Sequence, residues 1–495
     1  MEQILKPLLF FSDFRNIFHV RLKSKSVLEN FYPLAIFGHI LGFFPIKSIL
    51  PGFREVRLLE FTFFSYPVLY TICLNGILYF FTLEASFAFY KDSFRFKFST
   101  DDFALKVFFF MFSVSKICIH FITIIRVPNI IGCFKSIETY DLDFEYKNHT
   151  LILSRYVVIF LVGTIISAVL SLVATFSKTW STVIENYELS SKVGSNVERF
   201  WSLTILPEPL IVTVLGLITH VIAESAIFFS QSTIAYIVNC ICDRIQAIET
   251  EILEIHSSFV HIDNDKNPRL PSNELSDVGS DNERANNRVT TIWIQPTSFL
   301  SEQNLNTELK RSVRRNGKRF VRLMDVVQDL NSVANEIIVI SSTASTVIIV
   351  SLCYLIVMFF SQWDATTAQI LIGVTFKNAN FIVSSTIILI VALTVGRLVN
   401  FANTGEKLQN SVTRLGTTMK RFDHTDNAEI NRYCCYLYYL ISSSDASLTG
   451  CGFFRLNRAA LTSILAPVIT FIVILAQFRV SDIQLSGSHT NATMV

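Results

Sequence analysis

Residues 459–478 are an uninterrupted run of twenty uncharged positions held between Arg458 and Arg479. At 1.5 Å per residue this run makes about 30 Å of helix, the thickness of a bilayer's hydrocarbon core. Hydrocarbon offers no partner for backbone N–H and C=O groups, so such a run must pair them within itself as a membrane helix. The run ends on an amide, Gln477, followed by Phe478. An amide there needs a partner or water, because leaving it unpaired in lipid costs on the order of several kcal/mol.

Six more candidate spans precede it, at 61–83, 103–125, 156–177, 203–240, 337–362 and 378–396. The second is interrupted by Lys106 and Lys116, and the fourth is too long for one crossing. Composition agrees: 51% of residues are hydrophobic and 17% charged, against about 25% charged in a soluble domain. The expected fold is all-α, a seven-transmembrane helical bundle. A net charge of +2 gives no reason to expect a nucleic-acid partner.

Loop charges set the orientation. The segments before span 1, between spans 2 and 3, 4 and 5, and 6 and 7 hold 32 Lys and Arg, against 8 in the opposite segments. The N-terminus is therefore expected in the cytoplasm and, with seven spans, the C-terminus outside. The chain is read as a cytoplasmic N-terminal segment (1–56), spans 1–4 with a cytoplasmic extension of span 4 (57–255), a disordered cytoplasmic loop (256–308), a cytoplasmic helix with spans 5–7 (309–482) and an extracellular tail (483–495). Met1 to Phe11 lacks a small-residue cleavage site, so no cleavable signal is expected. Of the two sequons, only Asn491-Ala492-Thr493 falls outside; Asn148-His149-Thr150 is expected to be cytoplasmic and silent.

The extension of span 4 rests on periodicity. Ile234, Ile237, Ile241, Ile245, Ile248, Ile252 and Ile255 recur at intervals of three and four, one apolar helical stripe with Asp243, Glu249, Glu251 and Glu254 off it. After the polar loop comes a basic run (Lys310, Arg311, Arg314, Arg315, Lys318, Arg319, Arg322), read as an inner-leaflet contact. A second apolar stripe follows at Phe320, Leu323, Val326, Val327 and Leu330.

Nine scattered cysteines give neither a disulfide framework nor metal-ligand spacing, and no cofactor is expected. No P-loop, His-Glu-x-x-His or Gly-x-Ser-x-Gly stands in the chain, so no enzyme is expected. Thr470, Ile474 and Gln477 share one face of the last helix by their spacing of four and three. Gln477 taken alone fits an interfacial residue, an interhelical hydrogen-bonding partner or a pore-lining amide. Lys116 and His120, and His220 and Glu224, are pairs spaced by four within spans 2 and 4. Buried ionisable groups in a membrane are costly, so these make either a structural Lys116–Glu224 pair or the polar lining of a ligand cavity. Trp201, Glu208, Gln362, Trp363 and Asp364 form the expected outer rim, with Glu208 and Trp363 as further pocket candidates.

The stretch Thr470-Phe471-Ile472-Val473-Ile474-Leu475-Ala476-Gln477-Phe478 resembles the terminal-helix signature of the insect gustatory receptor family: Thr-Tyr, five hydrophobic residues, Gln-Phe. Phe471 in the tyrosine position is the one departure. Cys451-Gly452-Phe453-Phe454 through Leu461-Thr462-Ser463 is similar to that family's approach to the last helix, and Gly42-Phe43-Phe44-Pro45 to its N-terminal block. The resemblance implies a chemosensory ligand-gated nonselective cation channel in the plasma membrane of sensory neurons. It implies a homotetramer, or a heteromer with related receptors, whose last helices surround one pore. By motif position Gln477 and Ile474 would form the gate, with Thr470 and Phe478 beside them. The expected partners are a small-molecule tastant, permeant cations and the lipid bilayer.

Within the family, Ile472 stands where the main sugar-receptor branch tends to carry glutamate, which argues against that branch; a bitter plant compound is the expected ligand by the number of such receptors alone. Cys451-Gly452 and Arg455-Leu456-Asn457-Arg458 resemble fructose-sensing members, so a fructose-type sugar sensor is the alternative. A G-protein-coupled receptor would need an outside N-terminus and the Asp/Glu-Arg-Tyr and Asn-Pro-x-x-Tyr signatures, which are missing. A secondary transporter would favour paired broken spans, and the in-span prolines (Pro67, Pro207, Pro209 and Pro467) show no such pairing.

Overall fold

From Gly216 to Asn267 the chain contains neither proline nor a further glycine, and the helix begun earlier runs on to the residue before Asn267-Pro268. A proline disfavours helix at the residue before it and lacks a backbone donor of its own, so the stop is local. The computed structural model describes residues 27–46, 61–62, 64–76, 79–80, 100–146, 208–266, 302–361, 374–420 and 428–492. They form α1 (Val27–Ile40), α2 (Thr100–Asp143), α3 (Glu208–Lys266), α4 (Glu302–Ser361), α5 (Val374–Lys420) and α6 (Ala428–Ser443), then β1 (Thr449–Gly450), β2 (Phe454–Arg455) and α7 (Arg458–Ala492). A further helical stretch covers residues 66–76. The expected third span, 156–177, lies outside the described residues.

Among the described residues the regular structure is helical apart from one hairpin of two two-residue strands. Among the described residues, four helices are long and apolar enough to cross a membrane, within α2, α3, α4 and α5, and residues 458–474 of α7 form a shorter apolar stretch. Both ends of the expected 256–308 loop are helical, because α3 continues to Lys266 and α4 starts at Glu302.

Two units divide the chain. One comprises residues 1–242, 325–409 and 446–495; the other comprises residues 243–324 and 410–445. In the first, α1 docks through aromatic rings. Phe31 lies 4.7 Å from Phe134 of α2 and 5.4 Å from Tyr236 of α3, centroid to centroid. Gly38 makes room for the Phe229 ring, which a Cβ there would meet at 2.4 Å. Tyr236 donates its hydroxyl to the Val27 carbonyl at 2.5 Å.

In the second unit the isoleucine stripe supplies the core. Ile245, Ile248 and Ile252 are buried together with Val313, Phe320 and Leu323 of α4, Leu415 and Met419 of α5, and Leu437 and Ile441 of α6. Each such side chain contributes about 1.5–3 kcal/mol on full burial. Glu249 and Glu251 lie beside this core and bind across it. Glu251 accepts from Ser312 at 3.0 Å, from Arg319 at 2.5 Å and from Arg315. Glu249 accepts from Arg414 Nε at 2.7 Å and from the Thr418 hydroxyl at 3.2 Å. Two of the four acidic residues off the stripe, Glu249 and Glu251, are thus the clasps between α3 and its two neighbours.

Candidate functional site

Helix α7 begins at a cap. Asn457 Oδ1 accepts the Ala460 N–H at 2.8 Å, satisfying one of the free donors at a helix N-terminus. One side of α7 is packed: Val468 is 3% exposed and sits with Ile349 of α4 and Leu398 of α5. Leu461, Leu465 and Ile472 join it against Val350, Cys353 and Val395. At about 100° per residue, Thr470, Ile474 and Gln477 lie half a turn away from that packed line. They are exposed, with Ile474 at 40%, as are Ser463 and Ala466 on the same side.

The polar members of this stripe fall seven residues apart, at Ser463, Thr470 and Gln477. Ser463 and Thr470 donate their hydroxyls back to the carbonyls of Ala459 and Ala466, at 3.0 and 3.1 Å. Each hydroxyl keeps lone pairs outward, so the stripe presents oxygen without formal charge. The structure therefore gathers three of the four expected gate residues on one open face. Phe478 lies in α7, with its side chain outside the described part.

What leads into α7 had no signal in single-residue chemistry. β1 pairs with β2 antiparallel, Thr449 opposite Arg455 and Gly450 opposite Phe454. The turn between them puts Cys451 at φ 49° and Gly452 at φ 76°, the mirror-image turn that suits the twist of a tight hairpin. Thr449 donates its N–H to Asn331 Oδ1 at 3.0 Å and its hydroxyl to Asn335 Oδ1 at 3.0 Å, both on α4. On α5, a Cβ at Gly405 would stand 2.1 Å from the Leu456 carbonyl oxygen. Arg458 gives its Nε–H to Asn403 Oδ1 at 2.8 Å and lies 3.2 Å from Glu406 Oε2. The hairpin is thus fastened to α4 and α5 immediately before the terminal helix. The Cys451-Gly452 dipeptide was the visible trace of it.

The ligand-pocket candidates separate. His120 is 1% exposed, and its Nε2–H donates to the Gly42 carbonyl at 3.3 Å. Its ring meets those of Phe43 and Tyr79 edge-on at 4.8 and 5.5 Å. Gly42 takes φ 77°, and Phe43 and Phe44 are fully buried. His120 therefore holds the Gly42–Pro45 block in place. Lys116 lies in α2, and Glu208, His220 and Glu224 in α3, with side chains outside the described part. Trp201, Gln362, Trp363 and Asp364 lie outside the described residues. Two charged contacts that sequence spacing did not suggest join other helices. Arg126 of α2 gives two hydrogen bonds to Glu336 of α4, at 3.2 and 2.5 Å, and Arg397 of α5 reaches Ser345 of α4 at 3.4 Å. Among the described residues no cluster of His, Cys, Asp and Glu fits a metal ion.

A family model described as 7tm Chemosensory receptor matches residues 31–482. The fold is similar to that of the olfactory receptor OR5 from Machilis hrabei, solved in complex with eugenol, with a TM-score of 0.53 and 11% identity. The same receptor without that ligand gives a TM-score of 0.51, also at 11% identity. Both alignments cover 90% of this chain and 97% of the receptor. No curated protein matches the sequence.

Proposed function

Because the chain belongs to the 7tm chemosensory receptor family, we propose that it is a ligand-gated nonselective cation channel opened by a tastant, with α7 as its pore helix. The observation that carries this reading is the open face of Thr470, Ile474 and Gln477 opposite the packed face of α7. Lipid tails have no use for a stripe of hydroxyls and an amide, whereas a hydrated pore does. Around a fourfold axis, copies of α7 would stack an apolar constriction at Ile474 and a polar ring at Gln477. With the N-terminus in the cytoplasm, that ring lies near the outer face of the membrane.

A small-molecule ligand is supported by the eugenol held in the olfactory receptor of similar fold. A bitter plant compound is our reading, since Ile472 in place of the sugar branch's glutamate argues against that branch. A fructose-type sugar is the second reading, favoured by Cys451-Gly452 and Arg455–Arg458. Ligand and pore communicate by population: shifting closed to open from 1:99 to 99:1 takes about 5.5 kcal/mol, or about 1.4 kcal/mol from each of four sites.

The test is expression of the chain in a heterologous cell, with calcium imaging and patch recording against sugars and bitter compounds. Ligand-evoked current is expected to appear within milliseconds and to survive G-protein blockade. Gln477→Ala is expected to alter conductance or gating at normal surface density. Unchanged current in that variant would remove α7 from the pore.

A further inference from the structure

The basic run of α4 divides in two once it is folded. Arg315 and Arg319 turn to Glu251, and Lys310 stands 5.3 Å over the Tyr433 ring of α6. Arg311, Arg314, Lys318 and Arg322 are all exposed, and among the described residues none of them has an ion-pair partner. Their spacing of three, four and four places them on one side of the helix, a cationic line about 17 Å long. Arg322 comes fifteen residues, about 22 Å of helix, before residue 337, where the expected span begins. A surface potential decays over roughly 8 Å at physiological ionic strength, so the bilayer is a poor occupant for most of this line.

We propose that this line is the docking surface for an acidic stretch of the same chain, residues 274–283. That stretch, Glu274-Leu275-Ser276-Asp277-Val278-Gly279-Ser280-Asp281-Asn282-Glu283, carries four carboxylates and no cation. Four negative charges meet four positive ones. The connection permits it. Glu251 of α3 faces Ser312, Arg315 and Arg319 of α4, and α3 runs on to Lys266 while α4 begins at Glu302. α3 runs in the direction of α5, with Asn239 beside Lys407 and Glu249 beside Arg414. α6 runs against α5, with Gly416 beside Ile441 and Lys420 over Tyr438, and α4 runs with α6, with Lys310 over Tyr433 and Gly317 beside Leu437. α3 and α4 are therefore antiparallel, and Lys266 and Glu302 lie toward the same end, each about 20 Å past the clasp. Residues 267–273, extended, span up to about 24 Å, enough to bring Glu274 back to the level of Arg311. Residues 274–283 span up to about 34 Å, which covers the line, and 284–301 leave ample chain to return to Glu302.

Lys318 makes the contact chemically visible. A zero-length carbodiimide activates a carboxylate and lets an amine in contact displace the activating group, forming an amide. The intact chain in lipid nanodiscs is treated with it, digested and read by mass spectrometry. The expected product joins Lys318 to Glu274, Asp277, Asp281 or Glu283. It is lost at high salt and in the Arg311→Gln/Arg314→Gln/Arg322→Gln variant. Those three residues are exposed, and an unchanged melting temperature certifies the fold of the variant.

The second arm measures acylation of Lys318 in nanodiscs with and without phosphatidylinositol 4,5-bisphosphate. Protection that follows the carboxylates, and disappears in Glu274→Gln/Asp277→Asn/Asp281→Asn/Glu283→Gln, supports the proposal. Protection that follows the anionic lipid instead assigns the line to the membrane and overturns it. Equal acylation of Lys318 in every sample overturns it as well.

Discussion

Single residues fix the closest approaches in this molecule. Gly42 combines φ 77° with a place for Cβ only 3.1 Å from Asn75 Nδ2. Gly42→Ala is therefore expected to cost about 1–2 kcal/mol from the left-handed backbone alone, seen as an earlier melting transition of the detergent-solubilised chain. Gly405→Ala meets a backbone oxygen at 2.1 Å, which cannot rotate away, and a loss of about 1–3 kcal/mol or more is expected in the same assay. Adjacent cysteines separate by chemistry. Burial pushes the Cys434 thiol up to about 12, with Cys435 adding to the shift. At pH 8 the Cys434 thiol stays protonated and unreactive, because the thiolate is the nucleophile. Maleimide on permeabilised membranes is expected to label the exposed Cys435 and spare Cys434, read by mass spectrometry of the α6 peptide. Of these residues the sequence showed Gly42 only as part of a motif. Gly405 and Cys434 owe their roles to neighbours remote in sequence, Leu456 and the packed interior of the second unit, which no local pattern reveals.

At the level of elements, periodicity was legible and pairing was not. All the stripe isoleucines from Ile234 to Ile252 are buried, as are Phe320, Leu323, Val326, Val327 and Leu330, because one amphipathic face suffices to declare its inward side. Glu249 stood off the stripe as another surface acid, yet it is buried against Arg414, 165 positions away. Glu249→Gln leaves Arg414 without its charge partner, and a loss of about 1.5–3 kcal/mol is expected for a hydrogen bond to a charged group. The site divides in the same way. The spacing of Thr470, Ile474 and Gln477 put them on one face, while the attachment of the hairpin to α4 and α5 required the fold. The pair Arg458–Glu406 sits at that attachment, with Arg458 largely exposed, so its worth to stability is under about 1 kcal/mol. Glu406→Gln is accordingly expected to reach the surface normally while shifting the half-maximal ligand concentration, measured by dose–response recording. An unchanged dose–response would make the pair incidental.

The whole molecule shares its fold with a receptor to which it is only 11% identical, so the architecture tolerates nearly complete replacement of side chains. What a shared fold leaves to the individual chain is its orientation signals and its surfaces. The excess of Lys and Arg in alternate segments predicts an N-terminal tag hidden from antibody on unpermeabilised cells and a C-terminal tag in reach of it. An exposed N-terminal tag would instead favour a seven-span receptor that signals through G proteins.

The junction before α7 has a mechanical consequence. Two strands of two residues, a mirror-image turn and an asparagine cap leave almost no slack between Thr449 and Arg458. A displacement of α4 or α5 is then delivered to the terminal helix nearly in full, as through a stiff coupling and not a spring. Sensitivity is gained at the expense of tolerance. Lengthening this junction by even one residue should uncouple the two ends while leaving each of them intact.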